Sequence, residues 1–145
     1  MITFKKENWD ALYVEGFHLI EANGKEVDFF GEPLDVDVQE YYDLCELGIL
    51  NVYIARNESK IIGYCMFIMY THNHHKTLKI AHQDVIYIDP KYRTAGIRMI
   101  KYTEQELKKE GVDMILHGAP NISRLGAVLE RLGYNEIEKL YTKRL

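Results

Sequence analysis

The chain has 145 residues, 47% of them hydrophobic and 28% charged, the balance of a globular domain with a core of its own and not of a disordered segment. Its net charge of −4 excludes a general affinity for nucleic acid or anionic membrane, so any site for a polyanion has to be local. The longest apolar run, Tyr64 to Tyr70, is too short to cross a bilayer. The opening MITFKKENWDALYVEG holds no apolar stretch of the secretory-leader kind, so a cytoplasmic location is expected. Cys45 and Cys65 fall in a helical and a strand pattern, where reduced core thiols are expected rather than a disulfide framework.

No repeat, low-complexity segment or linker divides the chain, so residues 1–145 read as one domain. Met1 to Phe4 opens a strand, and Trp9 to Ile20 has apolar spacing suited to a helix, after which Asn23-Gly24 marks a turn. A second helix is predicted over Asp37 to Leu47, with Gly48 as its stop signal. Asn51 to Arg56 and Lys60 to Thr71 are β-branched and aromatic runs flanking Asn57-Glu58-Ser59, the pattern of a hairpin. A further strand is expected from about Leu78 to Ile88, where Asp89-Pro90 ends it, and a helix from Gly96 to Glu110, stopped by Gly111. Val112 to His117 reads as a short buried strand. Asn121 or Ser123 is placed to cap a helix over Arg124 to Leu132, and Tyr134 to Leu145 reads as a final strand. The order strand–helix–strand in the second half implies a parallel pair within a mixed sheet.

Between the strand ending at Ile88 and the helix starting at Gly96 lies a basic segment. Glycine at 96 permits backbone conformations and close ligand approach denied to other residues. The N–H groups of Thr94 to Arg98 fall at a helix start, where they lack intrahelical acceptors and the helix dipole favours an anion. Arg93 and Arg98 add charged donors. The spacing is neither GxxxxGK(S/T) nor GxGxxG, so a triphosphate loop or a dinucleotide fingerprint is not indicated. Taken alone, these residues fit a phosphate site or a plain strand-to-helix turn with solvated arginines.

The segment Arg93-Thr94-Ala95-Gly96-Ile97-Arg98, after Ile86-Tyr87-Ile88-Asp89-Pro90, resembles motif A of the GNAT N-acetyltransferase family, written (Arg/Gln)-x-x-Gly-x-(Gly/Ala). Residues 121–134, NISRLGAVLERLGY, are similar to that family's following helix with its Leu-Gly-Tyr ending, and the final Tyr141-Thr142-Lys143-Arg144 also fits, as in small phage and bacterial members. The resemblance covers residues 50–145 well and residues 1–49 only by the order of elements. It implies the GNAT fold, an α/β domain of the α+β type, with a mixed, mostly antiparallel central sheet flanked by helices. It also implies transfer of an acetyl group from acetyl-CoA to a primary amine by direct attack. The acceptor is left open between a small molecule and a protein.

By the same resemblance, Arg93, Thr94, Ala95, Gly96, Ile97 and Arg98 hold the pyrophosphate. Ile86, Tyr87 and Ile88 pair with the pantetheine arm, and Asn121, Ser123 and Arg124 lie near the pantetheine or adenosine end. The catalytic base is expected on the strand before the loop, at His82 with Asp84 as the second candidate. Strand alternation puts His82, Asp84, Ile86 and Ile88 on one face, and an imidazole suits proton removal near neutral pH. Phe29 and Phe30 fall where relatives place acceptor-binding loops. Two positions depart from the family pattern: Arg98 stands where glycine or alanine is usual, and Leu129 stands where many members carry a tyrosine acid, leaving Tyr134 or Tyr141 as replacements. These departures keep a second reading open, a catalytically inactive GNAT-like module that binds coenzyme A or a partner. The run His72-Asn73-His74-His75 has no carboxylate or cysteine at ligand spacing, so a solvated loop and no metal are expected. Relatives that pair as dimers make a homodimer an implied partner.

Overall fold

In a computed structural model describing all 145 residues, five strands lie side by side in chain order. They are β1 (Ile2–Glu7), β2 (Leu50–Asn57), β3 (Lys60–His72), β4 (His75–Ile88) and β5 (Met114–Leu116). β1 to β4 pair antiparallel, and β4 and β5 pair parallel. The expected mixed, mostly antiparallel sheet is therefore the observed one. Helices α1 (Trp9–Glu26) and α2 (Val38–Glu46) pack on one face. Helix α3 (Gly96–Lys109) packs on the other, entered through a 3-10 turn at Pro90–Ala95, and α4 (Leu125–Arg131) follows β5.

The two cores explain the strand sequences. Val52, Ile54, Tyr64 and Met66 face α1 and α2, while Tyr53, Ala55, Cys65 and Phe67 face α3. Both faces of β2 and β3 are covered, so these strands read as continuous apolar runs where a half-exposed strand would alternate. Cys65 is buried and Cys45 half-buried, and both are free thiols. Helix α2 starts where Asp37 accepts from the Glu40 N–H, and Gly48 and Gly111 end α2 and α3 at φ of +72° and +82°. That left-handed region carries little penalty only for glycine. No helix is long and apolar enough to cross a membrane.

Two expectations are corrected. The turn predicted at Asn23-Gly24 lies inside α1, which runs on to Glu26. Leu34 of the following loop folds back over that turn of helix, where a methyl group on Gly24 would come 3.3 Å from Leu34 Cδ1. The glycine serves packing there, and the helix continues. The strand predicted over Tyr134 to Leu145 does not form. A strand needs a hydrogen-bonded neighbour, and residues 135–145 run exposed without one. Their far end is tied to the α1–α2 loop, where Arg144 donates to the Phe30 carbonyl at 2.6 Å and pairs with Glu32 at 2.8 Å.

Glycine at 63 sets the approach of β3 to the end of β4. A methyl group there would lie 2.8 Å from Ile88 Cγ1 and 2.9 Å from the Tyr87 carbonyl oxygen. Gly63→Ala is expected to lower the urea-unfolding stability by about 1–3 kcal/mol. Gly96→Ala, whose methyl would meet only Ile88 Cδ1 at 3.8 Å, should leave it unchanged or raise it slightly. Equal midpoints for Gly63→Ala and wild type would contradict this register.

Candidate active site

Strand β5 holds β4 through only three residue pairs, Ile80–Met114, Ala81–Ile115 and His82–Leu116. Beyond His82, β4 runs on to Ile88 with no strand on its outer edge. The next pair in register, Gln83 and His117, meets through side chains instead. Gln83 Nε2 donates to the Gly118 carbonyl at 3.3 Å, and Gln83 Oε1 lies 2.6 Å from His117 Nδ1. Because the amide oxygen is the acceptor, His117 carries its proton on Nδ1 and leaves Nε2 as a free acceptor. That Nε2 is buried without a partner, and the ring sits edge-on to Tyr134 and Phe67, with centroids 5.1 and 5.6 Å away. Burial lowers the His117 pKa to about 4, so the ring is neutral at physiological pH. The sequence reading assigned nothing to Gln83 or His117. Their only signal is a polar residue within the strand β4 and another just after the apolar β5.

A bulge shapes the next stretch of β4. Val85 lies opposite Met66 and Gln83 opposite Phe67, which leaves Asp84 with no partner. One extra residue reverses the phase of a strand. His82, opposite Ile68, and Asp84 therefore face α1 and α2, whereas Ile86, opposite Cys65, and Ile88 face α3. The alternation that put all four on one face is corrected by this bulge. Asp84 accepts from the Tyr41 hydroxyl at 2.5 Å, and His82 Nδ1 lies 3.1 Å from the Tyr70 hydroxyl. Burial first, and then the bond to Asp84, raise the Tyr41 pKa, so this phenol stays a donor.

Beside Tyr41 a cavity of 110 Å³ opens between the sheet, α1 and the α1–α2 loop. Trp9, Leu34, Val36, Tyr41, Tyr64 and Val85 are among its walls. Phe29 and Phe30, expected to bind the acceptor, are not: they are 47% and 69% exposed. Asp28 accepts from the N–H groups of Phe30 and Gly31, a turn that leaves both rings outside. The same loop contributes Leu34 and Val36 in their place. A larger open hollow of 390 Å³, between the second half of α3, β5 and the end of α4, contains neither His82 nor Asp84.

The start of α3 is uncapped. Its N-cap is Ala95, no side chain accepts from its first N–H groups, and its first turn holds no acid. Gly96 has ordinary helical angles, φ −58° and ψ −45°, and its N–H bonds to the Arg93 carbonyl, so its backbone needs no glycine. Thr94, Ile97 and Arg98 are exposed. Arg93 turns back onto the protein: its Nε donates to the Ile88 carbonyl at 2.7 Å, it pairs with Glu26 at 2.6 Å, and its guanidinium lies 5.4 Å from the Tyr87 ring centre. Arg98 lies over Phe4 of β1, 5.6 Å from the ring centre. The Asp89 N–H bonds to β3, so the alternation of an antiparallel ladder turns the backbone of Tyr87 toward β3 and that of Ile86 and Ile88 to the free edge.

On the β5 side, Ser123 Oγ accepts from the Leu125 N–H at 3.3 Å at the start of α4, while Asn121 and Arg124 are exposed. Leu129 is buried, Tyr134 donates to Glu104 at 2.8 Å, and Tyr141 is exposed on the tail. His72 and His75 stack at the β3–β4 turn, 5.1 Å apart. No group of three or more His, Cys, Asp or Glu side chains is arranged to hold a metal ion.

The strand that loses its neighbour halfway, followed by an uncapped helix, defines an acyltransferase architecture, and comparison with known proteins agrees. The model of the acetyltransferase (GNAT) family matches residues 12–134, and the chain belongs to that family. No curated protein matches the sequence. Among solved structures, a predicted acetyltransferase with acetyl-CoA from Clostridium acetobutylicum is similar at 16% identity, 99% of this chain, 96% of that chain and a TM-score of 0.72. An aminoglycoside acetyltransferase from an uncultured soil metagenomic sample, in complex with sisomicin, is similar at 18% identity, 99% and 96% coverage and a TM-score of 0.75. The ribosomal-protein-alanine N-acetyltransferase of Brucella melitensis biovar Abortus is similar at 16% identity, 100% and 99% coverage and a TM-score of 0.73. At these identities the likeness establishes the fold.

The buried His117 makes the fold sensitive to acid. Its pKa falls from the usual 6.5 to about 4 on folding, so between those values the unfolded chain binds a proton that the folded one does not. Its contribution is complete above the unfolded value and is lost as the pH drops toward the folded one. The stability difference between wild type and His117→Phe should shrink by roughly 3 kcal/mol on going from neutral pH to about pH 4. Parallel stability–pH curves for the two proteins would contradict a buried neutral imidazole.

Proposed function

We propose that this protein is an acetyl-CoA-dependent N-acetyltransferase that acetylates a primary amine by direct attack. The carrying observation is the free edge of β4 beside an uncapped helix start. The edge offers backbone N–H and C=O groups to an extended amide-bearing arm, principally at Ile86, with Tyr87 and Ile88 flanking it. The first turn of α3 offers N–H groups and a positive dipole end to phosphates. Gly96 fits this use. Neither its backbone angles nor its packing require glycine, so the space beside it is left for a ligand.

In this reading Thr94, Ala95, Gly96, Ile97 and Arg98 border the pyrophosphate, the Gly96 N–H turning to it from the Arg93 carbonyl that it bonds in the free protein. To add their charge to the pyrophosphate, Arg93 leaves the Ile88 carbonyl and Glu26, and Arg98 leaves the ring of Phe4. Asn121, Ser123 and Arg124 border the cofactor from the β5 side. The cofactor supplies an acetyl thioester. Asp84, fixed by Tyr41, draws and orients the ammonium of the acceptor, and His82, on the same face of β4, takes the proton that frees its lone pair. The amine nitrogen bonds to the acetyl carbon, its second proton passes to solvent, and the carbon–sulfur bond breaks. With Leu129 apolar, the departing sulfur receives its proton from the His82 imidazolium or from solvent.

Calorimetry with acetyl-CoA tests the reading. The wild type should bind, and Gly96→Glu, which puts bulk and negative charge at the phosphate position, should not. His82→Ala should retain binding while slowing thiol release about 100-fold, and Asp84→Asn should act mainly by raising the KM for the amine. A folded wild type that ignores acetyl-CoA would refute the enzyme reading and leave a partner-binding module in its place.

A further inference from the structure

We propose that the acceptor is a monoamine on a small apolar body, its body seated in the cavity at Trp9 and its nitrogen held at Asp84. This rests on the acetyltransferase reading and names the substrate class for its acceptor side.

The wall chemistry is the first ground. The cavity is lined by aromatic and aliphatic side chains from α1, the α1–α2 loop, α2 and the sheet, and its only non-hydrophobic wall residues are Asn23 and Gly24. Its 110 Å³ is somewhat less than the roughly 150 Å³ that encloses a benzene ring, room for about five carbon atoms. Desolvating such a group is favourable, whereas a second ammonium there would be buried without a counter-charge.

Charge placement is the second ground. A polyamine or aminoglycoside needs several carboxylates around it, and none is among the cavity's wall residues. Asp35, exposed between the wall residues Leu34 and Val36, is the unpaired carboxylate of the α1–α2 loop, and four others nearby are engaged. Asp28 holds the N–H groups of Phe30 and Gly31, Glu32 pairs with Arg144, Asp37 caps α2 and Glu26 pairs with Arg93. Asp84, whose one protein partner is the Tyr41 hydroxyl, is not itself a wall residue but bonds one, Tyr41, and precedes another, Val85. A small apolar box whose wall residue Tyr41 holds one carboxylate matches one ammonium on one apolar group. Tyr41 joins the two parts, since its ring lies 4.6 Å from the ring of Trp9 and its hydroxyl bonds Asp84. The similar enzyme that holds sisomicin therefore shares the fold with this chain and not its acceptor class.

Trp9 is the only tryptophan in the chain, so its fluorescence reports directly on the cavity. The experiment titrates 3-methylbutylamine, spermidine and sisomicin into the free protein and into protein saturated with coenzyme A, following Trp9 emission. The expected result is a saturable change with 3-methylbutylamine at a dissociation constant at least about 10-fold lower than for either polycation. That preference should disappear in Val36→Phe, which fills the cavity from the loop, and in Leu34→Asp, which charges its wall. Thiol release from acetyl-CoA should rank the three amines in the same order. The proposal is overturned if spermidine or sisomicin binds as tightly, if both variants leave the alkylamine unaffected, or if no amine changes Trp9 emission in either state. Failure to bind coenzyme A in calorimetry would instead remove the acetyltransferase reading, while the titration of the free protein still decides what the cavity holds.

Discussion

Strand β4 is held by β3 along its length and by β5 for only three residue pairs ending at His82–Leu116. Everything that distinguishes the site follows from what happens after that pair. The backbone edge from Gln83 onward has no strand beside it, and unpaired strand edges are templates for any extended amide-bearing chain. The gap is bridged at its root by Gln83 and His117, whose mutual bond leaves the buried Nε2 of the histidine unsatisfied. A buried unpaired acceptor is unfavourable, and here it marks the point where the sheet begins to separate.

The bulge at Asp84 then divides one strand between two environments. Because side chains alternate with a period of two, a single unpaired residue directs His82 and Asp84 toward α1 and α2, and Ile86 and Ile88 toward α3. The helix that carries the uncapped N-terminus is thus on the opposite face from the carboxylate and imidazole. The gap thus has the uncapped first turn of α3 on one side and His82 and Asp84 on the other, with no long loop needed to bring them together.

The cavity at Trp9 depends on how α1 is seated. Arg56, largely buried, joins Glu7 at 3.0 Å, Glu15 of α1 at 2.8 Å and the Ser59 carbonyl at 2.7 Å. This ties the helix to β2 and to the end of β1. Trp9, 2% exposed, stacks with Tyr13 and Tyr41 across α1 and α2. Leu34 closes over Gly24. Similar structures keep this layout at TM-scores of 0.72 to 0.75 with identities of only 16 to 18%. The fold is thus preserved while most of the side chains on it differ.

The sequence by itself determined the class of fold and the strand-to-helix junction at Ile88 to Gly96. Helix and strand periodicities depend on local burial, and Gly48, Gly111 and the Asp89-Pro90 break act through backbone angles that neighbours do not alter. It also placed His82 and Asp84 on β4, where the structure has them. Tertiary packing alone decided the rest. A bulge is invisible until two strands are in register, so the face of Ile86 was read wrongly. Leu34 resting on α1 overrode the Asn23-Gly24 turn signal, and the absence of a neighbouring strand left Tyr134 to Leu145 irregular. Gln83, His117, Trp9 and Val36 become a bridge and a cavity only because residues far apart in the chain are brought into contact, and no spacing rule along one chain encodes such a meeting.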